Sequence, residues 1–332
     1  MPPVHRDPLP PRGPRLAPSG RQRPAQGPAA AALLGLAIGL LACSPAPEPP
    51  GDPAAPAVAA TTPTLATFAR RLLEADLSLA VPLPPGADPA QWMPDDPALA
   101  RLQSAGLLLC QGAGYEPWLD SASLSRSRLV ETARAVESAW IEFETVTHSH
   151  GTGEHSHAGL HPQTWLDPLL ARDQARAAAA AIGRRYPELE PRLGPRLAAL
   201  EAELEALDRG WRALAPRLMR ARLLCSHPSY AYLGRRYGLA LETVLLDPSR
   251  PLGDSERAAL GARRGAGPGL LWFEREPAPE LAAQLQQEFD LDGVWVDPVD
   301  LEPGPDRGGE DALARQHQNL RRLEAALAQR GL

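Results

Sequence analysis

Residues 221–248 read ARLLCSHPSYAYLGRRYGLALETVLLDP, and the fold turns on how they are read. ARLLCS (221–226) is a short apolar run, the mark of a strand buried on both faces. SYAYLGRRYG (229–238) has a helical pattern that closes on a glycine. LALETVLL (239–246) returns to strand, and a helical stretch follows near 254–264. GLLWFE (269–274), PAPELAAQLQQEF (277–289) and GVWVDP (293–298) continue as strand, helix and strand. A final amphipathic helix runs from about Asp311 to Gln329. Strands alternating with helices predict an α/β lobe whose parallel sheet is covered on both faces.

Upstream, Leu197, Leu200, Leu204, Leu207, Trp211 and Leu214 recur at alternating spacings of three and four. That is one apolar stripe on a long helix, expected over 191–218, with Pro195 in its first turn and Pro216 ending it. About three heptads is short for a coiled-coil dimer, so a single helix bracing two lobes is the favoured reading. The N-terminal half, 58–190, repeats the alternation less cleanly. LSLAVPL (77–83), AGLLLC (105–110) and SRLVET (127–132) read as strands, and DDPALARLQSA (95–105) as a helix. The predicted architecture is two parallel-sheet lobes, 58–190 and 219–332, joined by one long helix with a cleft between them.

The first 42 residues read as an export leader: an Arg- and Pro-rich segment, then the apolar run AAAALLGLAIGL, too short for a comfortable membrane span. Leu40-Leu41-Ala42-Cys43 resembles a bacterial lipobox, which makes Cys43 the expected lipidation site. SPAPEPPGDPAAPAVAA follows, and residues 43–57 are read as a Pro/Ala tether. The expected location is extracytoplasmic, anchored to a membrane through lipid. A net charge of −6 and the lack of a basic patch with interleaved aromatics argue against nucleic acid. Three cysteines exclude a disulfide scaffold, and neither H-E-x-x-H nor G-x-S-x-G occurs, so no enzyme is expected.

Ligands of open parallel sheets bind beyond the carboxyl ends of the strands. There the C-terminal lobe offers His227, Asp247, Glu274 and Asp297, and the N-terminal lobe Asp88 and Glu116. Asp88, Asp247 and Asp297 each precede proline, which is also an ordinary turn signal. Five of the eight histidines crowd into HSHGTGEHSHAGLHP (148–162). His148/His150 and His155/His157 are H-x-H pairs, each able to chelate one ion in extended backbone, with His161 a further element. The glycines between them read as a mobile loop, 147–161, that gathers zinc loosely.

PPGADP (84–89), GAGYEPWL (112–119), the His-rich loop with TWLDP (164–168), SHPSYAYLGRRYGL (226–239) and VDP (296–298) occur in this order. Together they resemble the solute-binding lipoproteins of zinc/manganese ABC importers, over about Val58 to Leu332. The resemblance implies a monomer that holds zinc, with manganese second, and hands it to an ABC permease and its ATPase. His227 matches the family's third histidine and Asp297 its late acidic ligand. Ala90 and Gln163 stand where the family has its other two histidines. His161, two residues before Gln163, and the Gln163 carbonyl oxygen are the expected replacements, and Asp88, Glu116 and Glu274 are further cleft candidates. The alternative is a non-transporting surface zinc buffer or adhesin that uses the His-rich loop.

Overall fold

The computed structural model describes residues 55–142, 147–150, 153–156, 159–265, 267–301 and 311–332. The leader, Cys43 and His157 lie outside the described residues. The chain enters the first lobe through β1 (Val58–Ala60), whose three residues are fully buried. Thr62 caps α1 (Pro63–Leu73), accepting the Leu65 N–H, with proline at the first helical position. β2 (Leu79–Ala80), α2 (Asp96–Ser104), β3 (Leu107–Cys110) and β4 (Leu129–Glu131) follow. The strands form a parallel sheet in the order β2-β1-β3-β4. β1, directly after the expected tether, is an interior strand of this sheet.

The His-rich segment differs from expectation. Its backbone is an antiparallel hairpin, β5 (Thr147–His150) and β6 (Gly153–Ser156), with His148 directly opposite His155.

α3 (Pro168–Arg185) is capped by Asp167, and α4 (Glu190–Leu218) is the long bracing helix. It begins earlier than Pro195, so both Pro195 and Pro216 lie inside it. Pro191 occupies its first turn, where a missing N–H costs nothing. Leu200, Leu204, Leu207, Trp211, Leu214 and Leu218 are all buried along it. The second lobe follows as β7 (Arg222–Cys225), α5 (Ala231–Tyr237), β8 (Leu241–Thr243), α6 (Asp254–Ala262), β9 (Gly269–Phe273), α7 (Pro279–Phe289), β10 (Leu291–Trp295) and α8 (Ala312–Gln329). Its sheet is parallel, ordered β10-β9-β7-β8.

Alternation along the strands serves two cores. Leu223, Cys225, Leu270 and Trp272 face the cluster that also holds Val58, Leu107 and the α4 stripe. Leu224, Leu271 and Phe273 face the opposite side, under Leu260 of α6 and Leu281 and Leu285 of α7. In the first lobe Leu108 and Cys110 pack likewise against Leu102 of α2 and Trp118. Trp211 stacks on Tyr237 at 5.8 Å and lies against Trp272 at 6.1 Å, fastening α4 to the second sheet. Among the described residues no helix is long and apolar enough to cross a membrane.

Candidate metal centre

The strand order of the second lobe reverses between β7 and β9, and ligand sites of such sheets sit outside that point. His227 follows β7 and Glu274 follows β9. The His227 Nδ1 lies 3.0 Å from Glu274 Oε1 and 2.9 Å from Ser229 Oγ. Burial pulls the His227 pKa down, but the charge and hydrogen bond of Glu274 outweigh it and leave the ring more basic than an ordinary histidine.

His161 comes to the same place from the first lobe. Its N–H donates to the Ile141 carbonyl at 2.9 Å, and its carbonyl accepts Tyr232 Oη–H from the second lobe at 2.9 Å. Its ring donates to the Pro228 carbonyl, directly after His227. Burial, and then the proximity of His227, hold the His161 pKa below the usual value, so the ring is neutral at neutral pH. A buried polar network fixes this segment to the first sheet. Gln111 Nε2 donates to the Pro162 carbonyl (3.0 Å) and to Thr164 Oγ1 (2.8 Å). Thr164 Oγ1 donates to Gln174 Oε1 (2.9 Å), and Gln174 Nε2 returns to Gln111 Oε1 (2.9 Å). Gln163 is buried beside it and opens the short turn Thr164–Leu166.

The lobes are pinned together around these histidines. Trp165 Nε1–H donates to the Pro298 carbonyl (2.8 Å), and Tyr115 Oη–H to Asp300 Oδ1 (3.1 Å). Arg236 reaches both Asp167, at 3.2 Å, and Asp208 of α4, at 2.7 Å.

Four of the acidic candidates have hydrogen-bond partners of their own, and of these Asp88 still lies close enough to His227 to make its ring more basic. Asp297 does not join the histidines as expected: its Oδ2 and Oδ1 accept Arg315 Nε–H (2.8 Å) and Nη2–H (2.9 Å), both groups buried. Oδ1 also accepts the Val299 N–H at 2.8 Å. Glu116 points inward, its oxygens taken by the N–H groups of Gln111 (2.7 Å) and Gly112 (2.9 Å) and by Thr61 Oγ1 (2.5 Å). Burial raises its pKa despite these donors. It braces the Gly112-Ala113-Gly114 loop, in which all three residues have positive φ. At Gly112 a Cβ would stand 2.9 Å from that of Glu131, which requires glycine there. Asp88 closes its own turn, accepting from the Ala90 N–H (2.9 Å) and Gln91 Nε2 (3.0 Å). Asp247 likewise binds Ser249. Among the described residues no three His, Cys, Asp or Glu side chains stand close enough to enclose a metal ion. What the fold does bring together is one histidine from each lobe, His161 and His227, with Glu274 against the second and the carboxylates of Asp88 and Asp300 nearby.

Asp300 was not singled out in the sequence. Val299 takes φ 62°, a strained conformation for a β-branched residue, and the next carboxylate meets Tyr115. Burial and the neighbouring Glu274 and Asp88 push the Asp300 pKa well up.

Residues 58–326 match the profile of the family described as "Zinc-uptake complex component A periplasmic". The chain belongs to this ZnuA family. The zinc-binding lipoprotein AdcA of Streptococcus pneumoniae is 23% identical over 257 residues, covering 74% of this chain and 50% of AdcA. The high-affinity zinc uptake system protein ZnuA of Bacillus subtilis is 26% identical over 162 residues, 47% of this chain and 50% of that protein. The chain thus spans about half the length of these curated relatives. Among solved structures, the metal-dependent lipoprotein YcdH of B. subtilis superimposes with a TM-score of 0.67 at 19% identity, covering 82% of this chain and 97% of YcdH. Zn(II)-bound AdcA of S. pneumoniae gives 0.65 at 17% identity, covering 83% and 57%. The two-lobe α/β fold is therefore that of the ZnuA-like proteins. Against the expected ZnuA-family histidine pattern, Ala90 presents a methyl group packed on the main core.

Proposed function

We propose that this chain is an extracytoplasmic solute-binding protein that holds a zinc ion at the lobe junction and passes it to an ABC permease. The observation carrying this reading is the meeting of His161 and His227, one from each lobe, in a chain of the ZnuA family. Neutral imidazole is a good zinc ligand, and His161 is held neutral by its surroundings. His227, His161 and Gln163 are the ligands proposed, with water completing four-coordination. The zinc-binding and zinc-uptake relatives also favour zinc, while the solute-binding protein FpvC of Pseudomonas aeruginosa, a structural neighbour, was solved with Mn2+.

The test is a zinc titration of the chain with and without residues 148–157. One tight one-to-one phase is expected in both forms, and a weaker phase of higher stoichiometry only when the hairpin is present. The weak phase should fade as pH falls through about 6.5, because its ligands must be neutral. A chain that loses all zinc binding with the hairpin would instead support the surface buffer or adhesin.

Anchoring through Cys43 belongs to the same proposal. Globomycin treatment should accumulate an unprocessed precursor, and Cys43→Ser should release the protein from the membrane fraction. Unchanged processing and retention would remove the lipid anchor from the reading.

A further inference from the structure

We propose that Glu274 is a positioning residue rather than a ligand: with Ser229 it pins a proton on Nδ1 of His227 and leaves Nε2 as that ring's metal donor. The inference rests on the zinc-binding reading above and concerns the same centre.

The hydrogens available to these three groups fix the tautomer. The Ser229 hydroxyl has one, and its Oγ lies 2.5 Å from Glu274 Oε1, an oxygen that only accepts when ionised. That proton is therefore spent on Glu274. The same Oγ is 2.9 Å from His227 Nδ1, and the same Oε1 is 3.0 Å from it. An unprotonated Nδ1 would set its lone pair against two oxygens with no hydrogen between them. Nδ1 must carry the hydrogen and share it between Ser229 Oγ and Glu274 Oε1. A neutral imidazole has one N–H, so its electron pair for a metal is on Nε2.

Backbone contacts hold this arrangement in place. Glu274 sits at the end of β9, next to β7, and its carbonyl accepts Trp295 Nε1–H at 3.0 Å. Pro228, between His227 and Ser229, offers its carbonyl to the ring of His161. The three residues His227, Pro228 and Ser229 thus order both histidines, and Glu274 orders the three. Metal-bound histidines commonly give their second N–H to a carboxylate, which orients the ring and strengthens it as a donor.

The test uses the full chain, labelled with 15N-histidine, titrated with zinc chloride, and compared among Glu274→Ala, Glu274→Gln, Ser229→Ala and His227→Ala. Without zinc, His227 should show the Nδ1–H tautomer in the parent and in Glu274→Gln, and a mixture in Glu274→Ala. Zinc affinity in the tight phase should fall about 10–100-fold in Glu274→Ala. Glu274→Gln, whose amide oxygen still accepts, should recover most of it, and Ser229→Ala should fall between. An unchanged tautomer and affinity in Glu274→Ala would overturn the proposal. So would a Glu274→Gln chain as deficient as His227→Ala with its tautomer intact, which is the behaviour of a direct ligand. Should Glu274→Ala not fold, the Gln and Ser229 variants decide by the same two readouts. A tight phase that survives His227→Ala would instead sink the zinc-centre reading itself.

Discussion

Zinc titration of His227→Ala should show no tight one-to-one phase, a loss of at least about 100-fold, exceeding what removal of an orienting partner costs. The ring stands at the strand-order reversal of the second sheet, faces the His161 segment and is held on its Nδ1 side by Glu274. Alanine there removes the second lobe's imidazole donor, and neither Asp297, bound to Arg315, nor Glu116, turned into the first lobe, stands in for it. The weaker hairpin phase should be untouched.

The pH dependence has a definite sign. Zinc and the proton compete for the deprotonated ring. Glu274 makes His227 more basic than an ordinary histidine, overcoming the opposing effect of burial. The tight phase should therefore begin to weaken above the ordinary imidazole value of about 6.5 as the solution is acidified, before the hairpin phase does. A tight phase that is unchanged down to pH values below the hairpin's midpoint would contradict this assignment.

Arg315→Ala should be the most damaging single substitution for stability, because it strands a buried carboxylate. Arg315 and Asp297 are almost wholly buried, in bidentate geometry. Asp297 is further held through its backbone by Asn319, whose Oδ1 accepts the N–H at 2.8 Å and whose Nδ2 donates to the carbonyl at 2.7 Å. Breaking one side of a buried pair typically costs about 3–5 kcal/mol. For a domain of this size that lowers the melting temperature by roughly 10 °C. Scanning calorimetry checks it, and a shift of under about 2 °C would refute it. The same substitution separates two roles for Asp297. As the clamp that docks α8 on β10, Asp297→Ala lowers melting and leaves the Nδ1 tautomer of His227 unchanged. As a ligand, it would abolish the tight zinc phase with melting unaltered.

The two lobes and the long helix were legible because their cores are periodic. Leu200 to Leu214 keep a helical stripe, and the runs 223–225 and 270–273 are apolar on both faces. β1 was not legible. Val58-Ala59-Ala60 is three small residues at the end of a Pro/Ala tract, with no period to read, and only pairing with β2 and β3 makes it a strand. The histidine hairpin is not legible for a related reason, since glycine and serine between the histidines carry no strand signal and the cross-strand register is a matter of pairing.

By itself the sequence determined the fold class, the resemblance to zinc-importer lipoproteins, and His227 as the residue that follows a buried strand directly into a proline turn. These follow from local pattern, which neighbouring residues in the chain already contain. The tertiary structure alone decided which carboxylates are at work. Asp88, Glu116, Glu274 and Asp297 look alike as acidic residues beyond strands, yet one closes a turn, one braces a glycine loop, one holds His227 and one is paired with Arg315. What distinguishes them is the partner each meets. Asp297 meets Arg315 from 18 residues on, and Glu274 meets His227 from 47 residues before, so each role depends on how strands and helices are packed and not on spacing along the chain.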